Sequence, residues 1–334
     1  MTGTGLNRRY HAVVLGLGCA LFVWLLVRLG AAKILSLLLG IGWYFGLIAA
    51  IYAAHQLVRT IAYWKCITTH AHASYRDLLR IRLSGEAIQF LTSTGPFLAE
   101  PSKVWLLKRR GLSTRHAVAA TISEYLIYTF TSAAFGIGGL AYLLTHFELS
   151  TLASVAAKVV LYAMGIFLFA AVCAIVFRIY LIGAIIKGAG KLPLVGQYVR
   201  FKETDVRDTE DLLFVVLRDR PRRFLWILSI EVAAQALLVL ELFVLLRTGG
   251  MFSLSQPLLI EGATKFVGLA FFFIPGQVGA TEGTYAFIFK TVGLPASAGF
   301  ALAVARRLRS LLVAGVGLAF APLWRDEPAS REPR

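Results

Sequence analysis

The chain has 334 residues, of which 58% are hydrophobic and only 16% are charged, whereas a soluble domain carries about 25% charged residues. Lysine and arginine outnumber aspartate and glutamate by 34 to 18, which gives a formal net charge of +16. Apolar runs such as HAVVLGLGCALFVWLLV and FLWILSIEVAAQALLVLELFVLL approach or exceed the roughly 20 residues that span a bilayer. This composition excludes a soluble enzyme and predicts an all-α polytopic membrane protein. The basic excess then indicates membrane orientation and anionic lipid rather than nucleic acid.

Apolar windows separated by charged gaps predict about eight elements in a single transmembrane domain over residues 1–323. Arg8 and Arg9 precede the first apolar run, which we interpret as a retained helix because further spans follow it. The predicted elements are 11–29, 39–63, an interrupted segment at 75–110, 115–145, 153–182, 223–247, a second interrupted segment at 256–292, and 295–323. We expect a charged cytoplasmic connector at about 187–223 and a polar tail at 324–334.

The two interrupted segments share a pattern that indicates an internal repeat, with cores at about 75–145 and 256–323. A shift of 182 positions superimposes identical residues, namely Glu100 on Glu282, Lys108 on Lys290, Gly111 on Gly293 and Ala119 on Ala301. The same shift brings Glu124 opposite Arg306. If the N-terminus is cytoplasmic, most basic residues fall inside, and the two segments become re-entrant hairpins of opposite orientation. The sequence therefore predicts about six full transmembrane helices plus two re-entrant hairpins, as an inverted repeat with both termini cytoplasmic.

Three arginines of the last predicted helix, Arg306, Arg307 and Arg309, lie at membrane depth, where each charge costs roughly 2.5–3.5 kcal/mol. Arg306 and Arg309 share a helix face, while Arg307 is turned about 100° away. Because guanidinium groups match phosphate oxygens, one hypothesis is a clamp for a lipid phosphate. The alternative is that the arginines lock helices together by pairing with carboxylates: Glu282, Glu124 or Glu100.

Two Gly/Pro breaks, PGQVGATEG and STGPFLAEPSKVW, have the composition of a helix N-terminus that binds an anion. Pro275 ends the preceding helix, and the glycines allow a left-handed backbone and close approach of a ligand. Thr281 is the predicted cap of the half-helix that follows. The candidate substrate-binding residues are Gly276, Gly279, Thr281 and Glu282 in the second break, and Glu100 and Lys103 in the first. An ordinary interfacial loop is the alternative for both breaks.

Glu124 lies in an apolar helix beside Thr121 and Ser123 and is the remaining candidate. A buried carboxylate there is either the partner of an arginine, which we favour, or a proton-coupled switch. Glu231 and Gln235 share a helix face and are interpreted as a structural pair. The sequence contains no Walker loop, GxSxG motif or metal-ligand cluster, so we predict no catalytic residue, metal or cofactor.

The segment FFFIPGQVGATEGTYAFIFKTVGLPASAGFALAVARRLRSLL resembles the flippase-like integral membrane family that includes the transmembrane region of lysylphosphatidylglycerol synthases. It matches the family's Pro-Gly-x-x-Gly-x-x-Glu segment, which is followed by a helix with arginine, and GPFLAEPSKVWLLKRRG matches more loosely. Within this family, the chain is similar to stand-alone proteins associated with hopanoid biosynthesis. It departs from the family pattern at two places. Ala99-Glu100 followed by Lys103 stands where family members often have Gly-Glu followed by Arg, and Glu124-Tyr125 stands where they often have a Glu-Arg pair.

The resemblance implies that the chain moves a polar-headed lipid, anionic or hopanoid-type, between leaflets of a bacterial inner membrane without a catalytic domain. Its partner is then a membrane lipid, whether a phospholipid, a hopanoid or a polyprenyl phosphate, and lipid-synthesis enzymes are further candidate partners. Two other functions stay open. One is a lipid-modifying enzyme that uses Glu100, Glu124 or Glu282 as acid or base. The other is a scaffold that recruits lipid-synthesis enzymes through residues 187–223.

Overall fold

The computed structural model describes residues 24, 27, 31–68, 73–91, 96–180, 203–247, 255–265, 271, 274 and 277–320. Within these ranges the chain is helical apart from turns and short loops, which confirms the all-α prediction. Most of the first predicted span, the Pro275-Gly276 break, part of the connector and the polar tail lie outside the described residues.

The described ranges contain eleven α-helices. They are α1 (Ala31–Ile41), α2 (Tyr44–Cys66), α3 (Tyr75–Leu91), α4 (Pro96–Arg109), α5 (Thr114–His146), α6 (Thr151–Val176), α7 (Glu203–Phe214), α8 (Pro221–Arg247), α9 (Ser255–Thr264), α10 (Ala280–Thr291) and α11 (Ala296–Ala319). A π-helical turn, Val215–Asp219, joins α7 to α8.

Four of these helices, α2, α5, α6 and α8, are long and apolar enough to cross a membrane. The most apolar window of α6 is only 11% buried, and its exposed side chains include Val159, Ile166 and Phe169, as expected for a helix that faces lipid. α11 has 24 residues. Its three central arginines make it too polar to be recognised as a membrane span from composition alone. The chain is therefore a multi-pass membrane protein.

The second predicted interruption is confirmed, since the described residues between α9 and α10 are not α-helical. At the first, α3 ends at Leu91 and α4 begins at Pro96, and residues 92–95 lie outside the described residues. The prediction of one element at 39–63 is wrong, because α1 ends at Ile41 and α2 begins at Tyr44. Gly42 adopts a φ of 48° between them. This left-handed conformation ends a helix and is accessible to glycine at little cost.

Each interrupted segment packs against the helix that comes after the other interrupted segment in the chain. α11 lies against α3, α5 lies against α9, and α2 and α8 make the most extensive contact between any two helices of the described chain. Glycines permit these close approaches. A Cβ atom added at Gly139 of α5 would lie 2.5 Å from the backbone nitrogen of Ala263 in α9, and one added at Gly317 of α11 would collide with the carbonyl oxygen of Leu83 in α3.

Two large apolar clusters form most of the core, and a polar layer separates them. One cluster includes Leu140 of α5 and Leu242 of α8, together with side chains of α9, α10 and α11. The other includes Ile127 of α5 and Ile227 of α8, together with side chains of α2, α3 and α4. Buried polar residues on α2, α5 and α8 occupy the positions between these clusters. The fold thus places charged groups midway along helices that are otherwise apolar.

Replacing Gly139 by alanine is expected to destabilise the protein by about 1–3 kcal/mol, because overpacking forces the helices apart. Gly138→Ala is the matched control, since no described atom lies within 4 Å of its added Cβ and alanine is favoured over glycine in a helix by about 1 kcal/mol. Thermal unfolding in detergent should therefore show a lower melting temperature for the first variant and an equal or higher one for the second. Equal melting temperatures for the two variants would contradict the close contact of α5 and α9.

Candidate functional site

Charged side chains from seven helices, and from Lys265 just after α9, meet in the polar layer. The ions of this network, which we call the central network, are Arg59, Arg82, Glu86, Glu100, Lys103, Glu124, Glu231, Glu241, Glu261, Lys265, Arg306 and Arg309. Nearly all of them are buried or have about a tenth or less of the side chain exposed. Cations and carboxylates are equal in number, so the network carries no net formal charge.

Glu124 is the centre of the half of the network formed by α2 to α5. Arg59 and Arg82 each donate a hydrogen bond of 2.7 Å to Glu124 Oε1, and Lys103 Nζ lies 3.8 Å from Oε2. The prediction that Glu124 pairs with an arginine is confirmed. The prediction that this arginine belongs to the last helix is wrong, because the arginines that meet Glu124 come from α2 and α3, whereas those of α11 pair with Glu241, Glu261 and Glu282.

Arg306 is the centre of the other half of the network. Its guanidinium lies 2.7 Å from Glu261 and 3.2 Å from Glu241, and it also donates to the hydroxyl of Tyr285. Glu241 and Glu261 come from α8 and α9, and each has less than a twentieth of its surface exposed. Removing either carboxylate would leave a buried arginine without a full complement of acceptors.

The two other arginines of α11 have separate partners. Arg309 donates to Glu241 at 2.6 Å, and its guanidinium lies 3.5 Å from the centre of the Tyr52 ring. Arg307 lies 2.6 Å from Glu282. Arg309 therefore shares a carboxylate with Arg306, which confirms that these two share a face, and Arg307 points away from them. Every guanidinium of α11 already has a carboxylate partner.

The second break begins α10 with a glycine cap. Gly279 has a φ of 80°, and its N–H donates to Glu282 Oε2 at 2.8 Å. The prediction that Thr281 is the cap is wrong, because the β-branched threonine is poorly suited to this left-handed conformation and lies inside the helix. Glu282 is thus held by both the backbone cap and Arg307, and Gly276 lies outside the described residues.

Glu100 and Lys103, the candidates from the first break, lie on α4. Lys103 Nζ donates to Glu100 Oε1 at 2.7 Å. The lysine stem packs closely on Gly85 of α3, where an added Cβ would lie 2.8 Å from Lys103 Cε. Glu100 Oε2 has no hydrogen-bond partner among the described residues. These two residues therefore form an ion pair with one free acceptor oxygen.

A cavity of about 240 Å³ lies within the central network. Of the predicted site residues, Glu100, Lys103, Arg306 and Arg309 line it, whereas Glu124 lies one layer behind and contacts the lining cations. Gly279, Thr281, Glu282 and Arg307 are not among the lining residues. The structure therefore unites part of the first break with the last helix at one cavity, and the described candidates of the second break, Gly279, Thr281 and Glu282, lie outside that cavity.

His55 is a lining residue that the sequence analysis missed. It is 3% exposed, and its ring is stacked on Tyr52 with 5.3 Å between ring centres. Neither ring nitrogen has a hydrogen-bond partner within the described part of the chain. Arg59 and Arg82 were also missed, although ionisable residues in or beside apolar helices are the signal that finds them. The cavity thus offers donors and acceptors to a polar group that enters it.

The prediction from this geometry is that Glu124→Gln destabilises the protein by about 3–5 kcal/mol, because it leaves buried cations without their partner. Glu148→Gln, which removes an exposed carboxylate between α5 and α6, is the control and should leave stability unchanged. Thermal unfolding of both variants in detergent measures the difference. If Glu124→Gln melted at the wild-type temperature, Glu124 would not be the centre of this half of the network.

Comparison with known proteins places the chain in a family. The family model described as lysylphosphatidylglycerol synthase TM region matches residues 12–317. No curated protein and no solved structure matches the chain. The match covers α1 to α10 and nearly all of α11, including every residue of the central network, and it confirms the family resemblance noted in the sequence. The hopanoid-associated subgroup stays a prediction. The chain belongs to the lysylphosphatidylglycerol synthase transmembrane-region family.

Proposed function

We propose that this protein is a lipid translocase, which moves a polar-headed membrane lipid between leaflets and holds its head group in the central cavity. The observation that carries this proposal is the polar cavity between membrane-crossing helices. Charged residues at membrane depth are costly and mark substrate pathways. Membership of a lipid-related membrane family supports a lipid as the substrate.

An inverted repeat, which many transporters use for alternating access, is the architecture we propose. Under the 182-residue shift, α2, α4 and α5 correspond to α8, α10 and α11, and α3 corresponds to α9. The crossed packing of α11 on α3 and of α5 on α9 is what two-fold related units would produce. α4 and α10 also end alike, with Gly111 at a φ of 86° and Gly293 at 81°. In both, the following leucine N–H bonds to the carbonyl five residues earlier.

The charges of the two repeats correspond with opposite sign. The 182-residue shift relates the ion pair Arg59–Glu124, at 2.7 Å, to the ion pair Glu241–Arg306, at 3.2 Å. Before the breaks, a shift of 179 residues relates the pair Arg82–Glu86 to the pair Glu261–Lys265. Each repeat thus forms its own ion pairs, with the charges exchanged between corresponding positions. This arrangement supports a common origin of the two halves and accounts for the balance of eight of the twelve ions of the network.

The cavity is lined by five cations and three carboxylates, and the carboxylates Glu124 and Glu241 pair with these cations from behind the lining. A head group without net charge, such as a polyol or a zwitterion, is therefore favoured over an anionic one. An anionic phosphate would have to displace Glu241 or Glu261 from Arg306, since both carboxylates contact that guanidinium. A polar head group without net charge can instead use the free hydrogen-bonding atoms of His55 and Glu100. A hopanoid-type polyol and a zwitterionic phospholipid both satisfy this condition.

A translocase is better supported than a lipid-modifying enzyme. The carboxylates that would act as acid or base each have a cationic partner, since Glu100 pairs with Lys103, Glu282 with Arg307 and Glu124 with two arginines. We propose that about six helices span the membrane, that the two broken segments are re-entrant, and that both termini are cytoplasmic. Rocking of one repeat against the other would then open the cavity to each leaflet in turn.

Cysteine labelling tests the inverted topology. In a variant without the native cysteines, we expect Ser113→Cys, beside Gly111, to react with impermeant maleimide only from the cytoplasmic side. Lys290→Cys, beside Gly293, should react only from the opposite side. Both positions are exposed, and neither replaces a left-handed glycine. Labelling of both positions from the same side would contradict the inverted repeat and the alternating-access mechanism.

The head-group site is tested with His55→Phe, which keeps the ring stacked on Tyr52 but removes both nitrogens. Because those nitrogens have no partner within the described chain, the variant should fold normally and lose most lipid movement. Dithionite quenching of fluorescent phosphatidylethanolamine in proteoliposomes measures the rate, and mass spectrometry checks that lipid masses do not change. Wild-type rates in a normally folded variant would exclude His55 from the site, and a new lipid mass would favour an enzyme.

A further inference from the structure

Glu231 of α8 is the least satisfied carboxylate of the central network. It is 0% exposed, and neither carboxylate oxygen has a hydrogen-bond partner in the described part of the chain. Its contact with a cation is through Arg59, whose Nε lies 3.4 Å from Glu231 Oε2. The unpartnered Oε1 of Gln235 lies one helical turn farther along α8. A carboxylate in this position is held by one weak ion pair.

Arg59 cannot satisfy Glu231 fully, because it serves three carboxylates. Its guanidinium lies 2.7 Å from Glu124 and 4.0 Å from Glu86, in addition to the contact with Glu231. The charged groups that face Glu231 are Arg59 from α2, Glu124 from α5 and, with a weaker effect, Arg82 from α3. With Glu231 of α8 added, the half of the network formed by α2 to α5 brings four carboxylates, Glu86, Glu100, Glu124 and Glu231, to three cations, Arg59, Arg82 and Lys103. One carboxylate is therefore in excess here, and one cation is in excess on the opposite side, where Lys265, Arg306 and Arg309 face Glu241 and Glu261.

The repeat identifies Glu231 as the carboxylate in excess. Glu86 and Glu124 correspond to cations of the other half under the shifts of 179 and 182 residues, and Glu100 corresponds to Glu282. Glu231 corresponds to Ala49, so no charge of the other repeat mirrors it. A buried carboxylate that is neither mirrored nor hydrogen-bonded, and whose cation is shared with two other carboxylates, is poorly compensated in its own surroundings. One proton would remove that charge without any other change of partner.

We propose that Glu231 is a proton-binding site that couples lipid translocation to protons, an inference that rests on the proposed function. A proton from water bonds to one carboxylate oxygen, which converts the anion to a neutral carboxylic acid. Arg59 then loses its ion pair with Glu231 and turns its Nε–H toward the cavity, which it already lines. Deprotonation draws Arg59 back. Arg59 thereby links the proton site behind the cavity wall to the head group inside it.

The coupling is tested in vesicles of phosphatidylethanolamine and phosphatidylglycerol that contain a trace of fluorescent phosphatidylethanolamine. In the wild type, an imposed pH gradient should change the rate of probe movement severalfold. Glu231→Gln mimics the protonated acid and should give one rate with and without the gradient, whereas Glu231→Asp should retain the dependence. Glu148→Gln, the control for loss of a carboxylate, should behave as the wild type. If the rate of probe movement in the wild type did not change with the pH gradient, the proposed coupling would be wrong.

Infrared difference spectroscopy on purified protein in detergent tests the proton site without transport. Lowering the pH should produce carboxylic-acid C=O absorption from several carboxylates, and one component of it, present in the wild type and in Glu148→Gln, should be missing from Glu231→Gln. Retention of that component in Glu231→Gln would overturn the assignment. If that component depends on Glu231 but no vesicle moves the probe, the proposed translocation of that lipid fails and the proton site stands.

Discussion

Charge neutrality at membrane depth is the constraint on which the rest of this structure depends. Twelve ionisable side chains, each costing roughly 2.5–3.5 kcal/mol if inserted alone, can be buried together only when every cation meets a carboxylate. The helices must then pack so that α5 brings Glu124 to Arg59 and Arg82, and α8 brings Glu241 to α11. Close glycine contacts at α5–α9 and α3–α11 hold the helices near enough for these pairs to form.

Local pattern predicted most elements, because hydropathy and Gly/Pro breaks act over short stretches of chain. The Gly/Pro breaks predict the interruptions at 75–110 and 256–292. The spacing of three residues predicts the common face of Arg306 and Arg309. The partners of Glu124 could not be predicted from local pattern, since Arg59 and Arg82 are 65 and 42 residues away in the sequence and helix packing brings them to Glu124. The cap at Gly279 was missed because the sequence does not show which glycine of the break adopts the left-handed backbone.

The sign reversal between the repeats exchanges the charges of corresponding positions while each repeat keeps an arginine–carboxylate ion pair. The cavity between them carries both donors and acceptors. A head group can then enter the cavity without bringing a net charge into it. Its entry needs only small rearrangements of the ion pairs, because Arg59 and Glu241 each already contact more than one partner of opposite charge. The network is thus suited to passing a polar group through an apolar layer.

The most direct test of a head-group site is an electron cryo-microscopy structure in lipid nanodiscs, combined with native mass spectrometry of co-purified lipid. A head-group site in the cavity predicts lipid density whose head group lies within hydrogen-bonding distance of His55 and Glu100, and a retained lipid without net charge. Lipid density confined to the outer surface of α6 and the other exposed helices, with the cavity holding only water, would contradict it.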